Sequence, residues 1–171
     1  MTLTKLLLTL ACSLVPAAAA MADEAPKKGH HTLTLMLGPE IGISDSYKDA
    51  QFDLLQAYTY HLSGDPSGLY FGLELQEGMG KFLRFGAGAR AGYDFQIPGM
   101  PLYVSPVVRI GVSLVDLITS EAYFNLVLGA EAKYVLPIGV SLFLRPVGIN
   151  LSMGTITVAS YDLLAGAGYT F

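Results

Sequence analysis

Ten ionisable residues recur at alternate positions within segments that are otherwise apolar or small. They are the cations Arg84, Arg90, Arg109, Lys133 and Arg145 and the acids Glu40, Glu74, Asp94, Glu131 and Asp162. Carboxylates and cations set out this way can do three kinds of chemistry. They can move protons at a reaction centre, line a charged conduit, or neutralise one another as a buried network. Five against five balance, which favours the last. Catalysis would need other groups, and only three histidines exist: His30, His31 and His61. No serine nucleophile motif accompanies them. No paired cysteine or His/acid cluster has metal-ligand spacing. The chain therefore reads as non-enzymatic, with no cofactor and no metal.

The elements that position these charges are strands. Apolar residues alternate with polar or small ones through eight segments bounded by turn chemistry. The first covers 31–43, with Leu33, Leu35, Leu37, Ile41 and Ile43 on one face. The second, 52–63, groups Phe52, Leu54, Tyr58, Tyr60 and Leu62, with Gln56 as the odd member. The third shows Leu69, Phe71, Leu73 and Leu75, and the fourth runs from Leu83 through Ala87, Ala89 and Ala91 to Ile97. The fifth and sixth, 102–114 and 124–136, repeat the pattern. The seventh starts at Val140 and reaches about Asn150, its alternation slipping after Pro146. The eighth ends on Tyr169-Thr170-Phe171.

The polar face is the crowded one. It holds all four arginines of the chain and six glycines, Gly72, Gly86, Gly88, Gly92, Gly111 and Gly129. Glycine weakens an open strand surface, but beside long charged side chains in a concave interior it makes room. The apolar face must then point outward. Its aromatics bracket the strands: Phe52 with Tyr58 and Tyr60, Phe85 with Tyr93 and Phe95, Phe124 with Tyr134, Tyr161 with Tyr169 and Phe171. A tilted strand climbs roughly 2.5 Å per residue along a membrane normal, so ten residues span roughly 25 Å, the height of an outer-membrane apolar band. Two aromatic girdles at the membrane interfaces are expected.

The N-terminus supports this placement. Lys5, a short apolar run and the Ala20-Met21-Ala22 site describe a signal peptide over 1–22, leaving a tail 23–30 and a barrel 31–171. The apolar run is shorter than the roughly 20 residues of a spanning helix. The single cysteine, Cys12, lies in the signal, and Thr9 stands where a lipoprotein motif wants Leu. Mean hydropathy is +0.48 and 52% of residues are hydrophobic, yet no later run approaches a spanning helix. Without Lys5 the chain has 9 basic and 14 acidic residues, a net charge of −5, and no basic stripe, so nucleic acid is no partner.

With a signal peptide, eight alternating strands, tight alternate turns and a terminal Phe171, the chain resembles the small outer-membrane barrels of the OmpA transmembrane-domain and OmpX type. The resemblance implies an all-β, transmembrane, eight-stranded antiparallel up-and-down barrel in the bacterial outer membrane. It also implies a surround of outer-membrane lipid and lipopolysaccharide, and assembly machinery that reads Tyr169 and Phe171 as its signal. A monomer with a structural or envelope-maintaining role is expected; a small channel for ions or small solutes is the alternative. Some barrels of this size modify lipid A, but all three histidines are expected at the periplasmic rim, far from the outer leaflet. The outward loops, about 44–51, 78–81, 115–121 and 151–155, are short, which weakens an adhesin reading.

An eight-stranded lumen is just wide enough for side chains to fill it. The turn at 137–139 predicts Glu131 against Arg145, and the turn at 98–101 predicts Arg90 against Arg109. That like-charged pair requires an anion, with Glu131 or Glu74 as candidates, and Glu74 is also expected near Arg84. Pro39, Pro106 and Pro146 fall on lipid-facing positions, where each should cost a ladder hydrogen bond or mark a bulge.

Overall fold

A computed structural model describes residues 30–80, 83–115 and 121–171. The expected signal peptide, with Cys12, and the tail before His30 lie outside the described residues. Eight strands form: β1 (His31–Gly42), β2 (Ala50–His61), β3 (Gly68–Met79), β4 (Arg84–Gln96), β5 (Leu102–Val115), β6 (Glu121–Val135), β7 (Val140–Met153) and β8 (Thr157–Thr170). Each pairs with its successor, all antiparallel, and β1 pairs with β8 to close the barrel.

The alternation decides which way every side chain points. Leu73 is 63% exposed and Ile110 52%, whereas Arg109 and Arg145 are among the largest fully buried side chains. That inverts a soluble protein, and only a hydrocarbon surround makes such a surface favourable. Closure answers the same surround, because lipid offers no partner to an open sheet edge. No helix among the described residues is long and apolar enough to cross a membrane; the strands do the crossing.

Two turns fix the register. Gly139 has φ 80°, a left-handed conformation that glycine adopts without strain, and Leu136 N donates to Val140 O at 2.8 Å. At the other, Ile97 N donates to Leu102 O at 2.8 Å around Gly99. Arg90 consequently faces Arg109 across the β4–β5 ladder.

The prolines interrupt the ladders. Having no N–H, proline cannot complete a ladder pair. Around Pro39 the β1–β8 pairing passes from Leu37↔Ala165 to Glu40↔Asp162. Around Pro106 the β4–β5 pairing passes from Gly92↔Val107 to Phe95↔Val104. At Pro146 the register itself steps, between Ala130 and Ala132 against β6 and between Arg145 and Gly148 against β8. Ser141, Phe143 and Arg145 point inward before the step, and Gly148, Asn150 and Ser152 after it. This phase change is the slip seen in the sequence, and it lets β7 continue past Asn150 to Met153. Other ends differ by a few residues: β2 begins at Ala50 and ends at His61, and β8 begins at Thr157, so the last outward loop shortens to 154–156.

Candidate functional site

The interior is the chemically distinctive part of the molecule. All ten expected residues lie inside and are buried, and the structure joins them into three clusters along the lumen. The central cluster draws one residue from each of six consecutive strands, β3 to β8. Arg90 Nη1 donates to Glu74 Oε2 at 2.9 Å and Arg90 Nη2 to Glu131 Oε2 at 2.5 Å. Arg145 Nη2 reaches Glu74 Oε2 at 2.9 Å and Glu131 Oε1 at 2.7 Å, with Arg145 Nε at 3.0 Å from the same Oε1. Arg109 Nη1 stands 3.5 Å from Glu74 Oε1, and Arg145 Nη1 3.7 Å from Asp162 Oδ2.

The Glu74–Arg145 bond has a topological meaning. β3 and β7 are four strands apart in a ring of eight, hence on opposite walls. A 2.9 Å bond between opposite walls leaves no open bore at that level. Glycines provide the room. A Cβ on Gly86 would come within 3.3 Å of the Arg109 guanidinium, and one on Gly148 within 1.7 Å of Asp162 Oδ1.

Away from the termini, Arg84 donates to Glu40 and, at 3.2 Å, to Asp53 Oδ2. It does not approach Glu74 as the sequence suggests; at the start of β4, four residues before Gly88, the partner of Glu74, it meets the acids of β1 and β2 instead. Gln51 Nε2 donates to Glu40 at 2.5 Å, Gln76 Nε2 to Asp53 at 2.5 Å, and Ser160 to Glu40. In the 43–49 turn above, burial pushes the Tyr47 hydroxyl well above the usual phenol range, with Glu40 adding to the effect.

Asp53 corrects the charge count. It is fully buried, so six acids face five cations and the interior is not balanced five to five. The phase of β2 points to it: with Phe52, Leu54, Tyr58 and Tyr60 outward, 53 must face in. The apolar inward neighbours Leu55 and Ala57 obscure that pattern.

At the terminal end, Asp94 accepts from Lys133, Ser105 and His61 Nε2, the last at 3.0 Å. His61 is therefore buried inside, 3% exposed, and not a rim residue. The last position of β2 is still an inward one. Ser105 and His61 both bond the carboxylate, which stands between them; a hydrolytic triad needs the imidazole in the middle. A small hollow of about 10 Å³, room for about one water, lies here, lined by Thr32, Thr59, His61, Lys133, Arg90 and Glu131.

The expected girdle residues all face outward. Phe52, Tyr58, Tyr60, Tyr93, Phe95, Phe124, Tyr134 and Phe171 are exposed; Phe85, Tyr161 and Tyr169 are half-buried. His31 stacks on Phe171 with ring centroids 5.6 Å apart and hydrogen-bonds the Tyr58 hydroxyl at 2.7 Å. His30 stacks on Tyr60 at 5.4 Å. Backbone bonds between His31 and Phe171, 2.8 and 3.1 Å, complete the seam beneath them.

Solved structures share this architecture. Neisserial surface protein A aligns with a TM-score of 0.67 at 18% identity, over 83% of this chain and 97% of its own. The N-terminal β-barrel domain of Pseudomonas aeruginosa OprF gives 0.59 at 13% identity, over 84% and 98%. Ail, the attachment invasion locus protein of Yersinia pestis, gives 0.53 at 15%, over 85% and 100%. No family model matches the chain, and no curated protein matches it in sequence. The fold is that of the small eight-stranded outer-membrane β-barrels.

Proposed function

We propose that this protein is exported through a cleaved signal peptide and inserted into the bacterial outer membrane as a closed, ion-pair-filled barrel with a structural, envelope-maintaining role. The observation that carries this reading is the Glu74–Arg145 bond between opposite walls. A conduit cannot be open where its two walls touch. Outer-membrane lipid and lipopolysaccharide surround the apolar band, and Tyr169 and Phe171 present the end that assembly machinery reads. No catalytic role is assigned, because His61 and Ser105 each bond a different oxygen of Asp94 and do not act in series.

A narrow channel is the second reading. The hollow at the terminal end favours it, since polar side chains line it, although the central and Arg84 clusters fill the lumen beyond. Planar-bilayer recording of the refolded protein separates the two. A silent bilayer supports the scaffold. Discrete openings altered by Arg90→Ala or Arg109→Ala would overturn it.

A further inference from the structure

Gln56 is out of place for a scaffold wetted only by lipid. Among the described residues it is the one polar, non-aromatic side chain on the outer face between the girdles. It stands four residues from Phe52 and four from Tyr60 on β2, roughly 10 Å from each along the normal. Its partners across the ladders are Leu35 on β1 and Leu75 on β3, which offer an amide nothing. Glu77 also faces outward, but it pairs with Phe85 of the girdle, at the depth where headgroup water arrives. Gln56 has no such relief, and hydrocarbon penalises a bare amide.

We propose that the outer face of β2 is a lateral contact with a second copy of this chain, centred on Gln56. The occupant follows from depth and from chemistry. Copies inserted with one orientation are related by a two-fold axis along the membrane normal, so each residue meets its own counterpart at its own depth. A carboxamide is its own complement, one oxygen accepting and one NH2 donating, so two Gln56 side chains satisfy each other. A lipid headgroup cannot reach mid-bilayer, and an acyl chain carries no polar group. Polar side chains join transmembrane segments by this logic. From the sequence a monomer is expected; Gln56 is the observation that argues for a pair.

The test is cross-linking in the membrane of the mature chain, which contains no cysteine once residues 1–22 are removed. Leu54→Cys, the next outward position on β2 with Gln56 kept, and, on the opposite wall, Leu128→Cys are expressed and exposed to a short thiol cross-linker, with heat-modifiable migration showing that each has folded. Leu54→Cys should give an adduct of twice the barrel mass, at least about fivefold more abundant than from Leu128→Cys. In phosphatidylethanolamine–phosphatidylglycerol vesicles, energy transfer between labelled copies should fall about fivefold with Gln56→Leu. Equal cross-linking at the two sites, an adduct of any other mass, or undiminished transfer in Gln56→Leu would overturn the proposal.

Discussion

Arg90 and Arg109 face each other directly across the β4–β5 ladder, like charge against like charge, in a buried interior. Alone the pair would be repulsive. Glu74 resolves it by reaching both, at 2.9 Å and 3.5 Å, while also holding Arg145 from the opposite wall. One carboxylate thus serves three guanidiniums. Removing one partner of a buried ion pair is costly because the other stays buried and uncompensated.

Glu74→Gln should therefore be the most damaging conservative change inside the barrel, lowering unfolding free energy by about 3–5 kcal/mol. Urea unfolding of the refolded protein, followed by the heat-modifiable gel shift, measures it. A loss below about 1 kcal/mol would show that the three arginines do not depend on Glu74.

Asp53→Asn should behave differently. Glu40 and Asp53 share the single cation Arg84, and Asp53 is the surplus acid of the interior. Neutralising it removes a repulsion and keeps a side chain that fits, so the same titration should show stability unchanged or raised by about 1 kcal/mol. Severe destabilisation would mean that both carboxylates are needed to hold Arg84.

Space is as specific as charge. Gly148→Ala would place a Cβ 1.7 Å from Asp162 Oδ1, and the carboxylate must move. Overpacking of this kind costs about 1–3 kcal/mol. A double-mutant cycle with Asp162→Ala should show strong coupling, because the second change removes the clash. Additive losses would place the strain elsewhere.

At the seam, Phe171→Ala removes the ring that stacks on His31 but leaves the backbone bonds of the closing strand. Equilibrium stability should fall by only about 0.5–1.5 kcal/mol. Assembled protein in cells should fall much further if Phe171 is read during insertion. Parallel losses in cells and in vitro would reduce Phe171 to packing.

Most of the architecture was legible because a half-buried strand writes its period into the sequence, and seven connections punctuate it. The Arg90–Arg109 and Glu131–Arg145 neighbours were legible too, since two tight turns set register by simple counting. Asp53 and His61 escaped for physical reasons. Leu55 and Ala57 interrupt the polar run on the inner face of β2, and His61 is the last residue before the chain leaves the ladder. The Arg84 partners escaped because a long side chain crossing a lumen is not bound by ladder geometry. Pro146 announced its bulge but not that alternation resumes beyond it in the opposite phase.

The three prolines give the wall a mechanical anisotropy. A ring of unbroken ladders resists being squeezed into an oval by sharing the load over every rung. Here rungs are missing beside Pro39 between β1 and β8 and beside Pro106 between β4 and β5, and the rungs are offset at Pro146 on both sides of β7. Fewer rungs brace the wall at those seams. Two of them, β8–β1 and β4–β5, lie diametrically opposite each other, so the ring is least braced across one diameter.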